Sequence, residues 1–169
     1  VEIGTDLIEL SSPCELAGME VSPFDTPHDA AHSIGFRIDT GDRRIGYATD
    51  LGNVTQEVYQ MLLGCHLVML EANYEPSMLR VSSYPYYLKQ RIASHSGHLS
   101  NPDSARCIAD LARHGTARFV LGHLSQENNT PAVAAQAVRE ALAAEGMTEG
   151  QDFILEVARR KEPTPALVF

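Results

Sequence analysis

An α/β layered domain is what this sequence predicts, and two observations carry it. Up to about residue 50 the chain shows the apolar alternation of strands, and from there buried strand-like runs exchange regularly with capped helical segments. A third observation bears on size. With 169 residues, 44% of them hydrophobic, and no repeat or low-complexity linker, residues 1–169 read as one domain burying roughly 70% of its unfolded surface.

The elements follow in order. IGTDLIEL, GMEVSPF, SIGFRIDT and RRIGYATD each alternate apolar and polar positions, and Gly41-Asp42 between the last two is a hairpin turn. Asn53 is expected to open a helix whose inner face holds Val58, Met61 and Leu62, with Gly64 closing it. HLVMLEA (66–72) is a continuous apolar run, the pattern of a strand buried on both sides. The polar, aromatic stretch from Asn73 to Ser100 reads as a long functional loop in which YYLKQRI can be helical. Asn101-Pro102 looks like an N-cap followed by a first-turn proline, and that helix ends at His114-Gly115. ARFVLGH (117–123) is a second buried strand. Thr130-Pro131 repeats the cap-and-proline start, Gly146 ends the helix, and DFILEVA (152–158) is the last strand before an irregular KEPTPALVF tail.

Composition narrows the function classes. No apolar run reaches the ~20 residues of a membrane span, and the start lacks the basic and apolar regions of a signal peptide, so a cytoplasmic location is expected. Cys14, Cys65 and Cys107 form no CxxC pair and read as reduced thiols. A net charge of −9 argues against a broad basic face gripping nucleic acid by phosphates alone, so any such substrate needs local contacts. The first residue is Val, from which an earlier natural start is expected.

Chemistry-bearing residues gather at strand ends, where open α/β sheets bind ligands. HDAAH (28–32) could be a histidine pair on one helical turn, but Pro27 before it and the β-rich SIGFRI after it leave no room for that helix. Two separate roles fit better: one histidine as ligand at a loop tip, one turned inward to orient it. Asp50 ends the strand IGYAT, a position that suits either a carboxylate ligand bridging two cations or an N-cap for the next helix. GHLS occurs at 97–100 and 122–125. His123 is delivered by an apolar strand and can be a structural or a ligating imidazole, while His98 at the loop's end suits proton transfer. Glu71 ends a buried strand and needs a partner: a histidine, or a salt bridge to Arg80, Lys89 or Arg91. Lys89, Arg91 and Tyr84, with Tyr86 and Tyr87, could contact phosphates and stack on bases, or form an ordinary solvated loop. Asn128 and Asn129 build the turn before Thr130, and Asn128 is near enough in sequence to His123 to reach the site.

In their order and spacing these residues resemble the carboxy-terminal part of the metallo-β-lactamase αββα sandwich. TPHDAAHSIGFRI resembles the third motif of that superfamily, which makes His28 the metal ligand and His32 its structural partner. Asp50, twenty-two residues on, takes the bridging position of the fourth motif. By the same comparison with ribonuclease-Z-like members, His98 is the catalytic histidine, Glu71 supports it, and His123 is the last ligand. LEANYE, SYPYYLKQRI, SGHLSN and LGHLSQENNTP together most resemble YycJ/WalJ-type proteins, regarded as DNA-processing exonucleases; Tyr74 departs from a histidine expected there. The HxHxDH motif that supplies the remaining ligands in the superfamily is absent from these residues, which points to a domain missing its amino-terminal portion.

The resemblance implies a hydrolase with two divalent ions, zinc or manganese, acting on phosphodiester bonds in DNA through activated water. A small-molecule substrate, such as a cyclic phosphodiester or a thioester, is the second reading. The third is a catalytically incomplete module that self-associates as a homo-oligomer through an uncovered apolar sheet face.

Overall fold

The computed structural model describes residues 12–164 and 166; the strand read over IGTDLIEL lies outside them. The elements run β1 (Cys14–Leu16), β2 (Met19–Asp25), β3 (Ile34–Asp39), β4 (Arg44–Ala48), α1 (Gln56–Leu62), β5 (Leu67–Glu71), α2 (Pro76–Val81), α3 (Tyr86–Ile92), α4 (Asn101–Arg113), β6 (Arg118–Gly122), α5 (Pro131–Ala144) and β7 (Ile154–Val157). The strands form one seven-stranded sheet in sequential order, β1 to β4 antiparallel and β4 to β7 parallel. The change of direction follows the sequence: tight turns and the 26–33 loop join the first strands, and helical crossovers join the later ones. None of the described helices is long and apolar enough to cross a membrane.

Four expectations shift. β1 was not foreseen; it pairs Cys14–Leu16 with Met19–Val21 around a turn in which Ala17 and Gly18 take φ of 50° and 79°. The first helix starts later than Asn53, because Thr55 is its N-cap and accepts from the Val58 amide, whereas the Asn53 side chain donates to the His95 carbonyl. Ser100, not Asn101, caps α4 by accepting from Asp103 N–H. Asn101 instead enters the first turn with its amide buried against Glu75 and Asn129. The long loop carries two short helices, α2 as well as the anticipated YYLKQRI segment.

Side-chain alternation puts Phe24, Gly46, Ala48, Val68, Leu70, Phe119, Leu121 and Leu155 on one face of the sheet. That face packs against Val58 and Leu62 of α1, Ile108 and Leu111 of α4, and Val138 and Leu142 of α5, in a single apolar core. Each fully buried leucine there stabilises the fold by about 2–3 kcal/mol of transfer free energy. Arg37 lies on the same side and donates to the Met61 and Leu63 carbonyls, terminating α1. On the other face the register aligns Phe36 with Tyr47, Ile38 with Ile45, and Tyr47 with Met69; their side chains are half-buried. The parallel strands share one consequence for chemistry: Asp50, Glu71 and His123 all emerge at the same carboxyl-terminal edge.

Candidate metal centre

Glu71 organises this edge. Its side chain is fully buried at the end of β5, yet it accepts three hydrogen bonds: from Leu51 N–H at 2.9 Å, from His98 Nδ1 at 2.8 Å and from His123 Nδ1 at 2.7 Å. Burial alone raises the pKa of this carboxyl, but the donors from His123, His98 and Leu51 outweigh burial and hold it below its ordinary value. None of Arg80, Lys89 and Arg91 reaches it. Because Glu71 is a carboxylate, both histidines donate to it from a protonated Nδ1, which leaves both Nε2 atoms facing outward. The same hydrogen bond raises the basicity of His123, against the opposing effect of its burial.

Asp50 and His28 complete the cluster. Oδ1 of Asp50 lies 3.7 Å from His28 Nε2 and 3.6 Å from His123 Nε2. These separations exceed a hydrogen bond and are close to the ~3.3 Å between two ligands on a tetrahedral ion with bonds of about 2.0–2.1 Å. The His98 ring stands between the others, its centroid 5.0 Å from that of His28 and 5.2 Å from that of His123. Among the described residues, His28, Asp50 and His98 form one group able to hold a cation and Glu71, His98 and His123 another. In the second group the Glu71 oxygen is already committed to two N–H donors, so it orients ligands more than it ligates.

A cation suits the vacant valences here. His28 Nε2 is buried and has no hydrogen-bond partner, a costly arrangement for an imidazole nitrogen unless something of opposite character meets it. Nδ1 of His28 accepts from Ala30 N–H at 3.0 Å, which puts the neutral ring's proton on Nε2. An ion on Nε2 and the Ala30 amide thus compete for the tautomer of this ring.

Backbone conformation is also bent to the site. Asp50 and His123 adopt φ of 55° and 56°, a left-handed region that costs about 1 kcal/mol or more for a residue with a side chain. Ser33 Oγ holds the Asp50 carbonyl at 3.1 Å and the Asn73 amide holds the His123 carbonyl at 2.8 Å. Three loops meet backbone to backbone: Gly52 N–H donates to the Pro27 carbonyl at 2.8 Å and Asp29 N–H to the Ser96 carbonyl at 2.9 Å. A Cβ on Gly52 would stand 2.4 Å from the His95 carbonyl carbon, and one on Gly97 2.2 Å from the Arg91 oxygen.

Other expected residues lie elsewhere. His32 does not orient His28; it is largely exposed and pairs with Asp25 at 3.1 Å, because the 29–32 bend carries it back toward the end of β2. Arg91 lines the groove beside the site, but its guanidinium is bound two-pronged by Asp29, the neighbour of His28. That ion pair lowers the pKa of Asp29 and raises that of Arg91. Lys89 is spent on the Arg80 and Ser82 carbonyls at the end of α2. Asn128 is fully buried in the 125–128 turn and cannot touch a bound molecule, whereas Asn129 lines the groove while bonding the Ala72 and Asn73 carbonyls. Tyr84 does line that groove. Sequence reasoning missed Asn73, the support for His123, and also Arg159, Arg160 and Lys161, which line the groove just past β7. A run of three cations at a strand's carboxyl end was the available signal for the latter.

Comparison with known proteins agrees with this geometry. Residues 3–124 match the family described as a beta-lactamase superfamily domain. The chain is 32% identical over 146 residues to the exodeoxyribonuclease YycJ of Bacillus anthracis and 31% identical over 147 residues to the exodeoxyribonuclease WalJ of Streptococcus pneumoniae serotype 2. These alignments cover 86% and 87% of this chain and 55% of each relative, so the chain spans about half the length of the curated relatives it matches. Among solved structures, the metallo-beta-lactamase fold protein YhfI of Bacillus subtilis superposes with a TM-score of 0.64 at 13% identity, covering 90% of this chain and 52% of that one. Zn(2+)-bound PqqB of Methylobacterium extorquens gives 0.57 at 20% identity, covering 89% and 52%. The chain belongs to the beta-lactamase superfamily, with the metallo-β-lactamase fold and curated relatives of the YycJ and WalJ type.

Proposed function

We propose that the protein carrying this chain is a metal-dependent nuclease that hydrolyses phosphodiester bonds in DNA, with His28, Asp50 and His123 as this chain's share of a site for two divalent ions, zinc or manganese. The observation that carries the reading is the Asp50 carboxylate set between two outward-facing imidazole nitrogens, one of them buried and unpartnered. Two relatives named exodeoxyribonucleases support the substrate class. The cations, when bound, supply charge neutralisation at the phosphodiester and make water a better acid at neutral pH.

The chain's own residues do the rest. Asp50 turns a single oxygen, Oδ1, toward both His28 and His123, so one carboxylate lies within reach of ions held on either side. His98 presents Nε2 to the site while Glu71 fixes its Nδ1–H, which suits it to hand a proton to the departing alkoxide oxygen. Glu71 also offsets the charge that a protonated His98 carries. Sharing Glu71 between His98 and His123 ties the proton donor's position to that of a ligand.

The test uses the full-length protein. Chelation should abolish hydrolysis of single-stranded DNA and metal add-back restore it; retention of activity after chelation sinks the proposal. His98→Ala should lower kcat by about 10²–10⁴-fold with metal content unchanged. A second reading keeps the site and takes a small phosphodiester or thioester, favoured by the net charge of −9. Turnover of bis(p-nitrophenyl) phosphate, single-stranded DNA and a thioester, compared side by side, separates the two.

A further inference from the structure

The groove beside His98 and His123 is charged against the trend of the chain. The sequence holds 22 acidic and 13 basic residues, yet Arg159, Arg160 and Lys161, together with the Asp29-paired Arg91, line the groove and no Asp or Glu does so among the described residues. Its other polar lining is neutral: Asn73, Ser125, Gln126, Asn129 and Thr130. At about 1280 Å³ it exceeds the roughly 300–1,000 Å³ of ordinary small-molecule pockets.

The three consecutive cations are anchored there. Ala158 N–H donates to the Leu121 carbonyl at 2.8 Å, which keeps the chain beside the end of β6 after β7 has finished. Arg160 then donates to the Leu124 carbonyl at 2.5 Å, so its guanidinium sits one residue from His123. Arg159 forms a pair with Glu162 at 3.1 Å, exposed on both sides and easily exchanged for another anion. Lys161 is exposed.

Building on the nuclease reading, we infer that Arg159, Arg160 and Lys161 form a rail that holds the phosphates of a single-stranded polynucleotide along this groove, with Tyr84 as a ring for base stacking. A chain of net charge −9 repels nucleic acid at long range, so affinity must come from a short stretch of this kind. The volume of the groove and the row of cations favour a polymer over a single phosphate. Stacking on a tyrosine requires splayed bases, which favours one strand over two.

Binding of a fluorescein-labelled oligothymidylate of about 15 nucleotides to the full-length protein, followed by anisotropy in the presence of chelator, tests this without turnover. The double variant Arg160→Gln with Lys161→Gln should weaken binding about tenfold at low salt, and the slope of log K against log salt should shrink by about 1.4 for two lost contacts. Lys161→Gln alone leaves the Leu124 contact intact and should shrink it by about 0.7, which keeps the test informative if the double variant does not fold. Arg43→Gln, in the hairpin turn at the opposite end of β4, should leave both quantities unchanged. The rail is overturned if the parent does not bind, if the variants match it, if Arg43→Gln weakens binding equally, or if inorganic phosphate at equal phosphate concentration displaces the strand. Rail-dependent binding without DNA hydrolysis by the metal-loaded parent would instead refute the nuclease reading and leave the rail standing.

Discussion

The core under α4 and α5 and the carboxyl edge of the same sheet obey opposite rules. In the core, local preference and tertiary structure agree: Ser100 and Thr130 cap their helices, glycines with positive φ end them at Gly115 and Gly146, and leucines fill the interior. At the edge, agreement is given up. A glutamate is fully buried, a histidine nitrogen is buried without a partner, and two non-glycine residues sit in left-handed backbone. Such departures persist only where surrounding structure enforces them, and here they fall on the proposed ligands and their orienting carboxylate.

That contrast can be broken experimentally, starting with Glu71. Glu71→Ala leaves three donors without an acceptor, and urea denaturation should show a loss of about 3–5 kcal/mol. A loss under 1 kcal/mol would mean the edge is not held by this carboxylate. Leu142→Ala should cost about 3 kcal/mol in the same assay. Calorimetric titration of the full-length protein should nonetheless show its metal affinity unchanged; a shared loss would dissolve the distinction between the regions. At Asp50 the comparison of interest is Gly against Ala. Both remove the ligand, but only glycine relaxes φ of 55°, so Asp50→Gly should be more stable than Asp50→Ala by about 1–2 kcal/mol. Thr130→Ala, which removes a cap and nothing at the edge, should lower stability by about 1 kcal/mol, read as a small fall in Tm.

The same division explains what could be read in the sequence. The alternation of strands and helices after residue 50, the Thr130 cap and the strand-end positions of Asp50, Glu71 and His123 follow from periodicity and from residues that act on their immediate neighbours. The helix start at Thr55 was misread as Asn53 because either side chain can cap, and only the fold sends Asn53 to the His95 carbonyl. The fate of long side chains was not readable at all. Lys89 and Arg91 look like free cations until tertiary structure brings the Ser82 carbonyl and Asp29 to them. His32 failed for a related reason: spacing of four from His28 says nothing about direction once the backbone bends. Asn128 and Asn129 are indistinguishable in composition, yet one is sealed in a turn while the other faces the groove.

The loops that carry Asp50 and His98 meet main chain to main chain at Gly52 against His95, and the His98 loop folds tightly onto the end of α3 at Gly97 against Arg91. The atoms that an added methyl group would meet there are main-chain atoms, so side-chain repacking cannot absorb it. In a saturation scan of function, Gly52 and Gly97 should therefore tolerate as few substitutions as the metal ligands, although neither offers an atom to an ion. The map of intolerant positions would then trace the mould as well as what it holds.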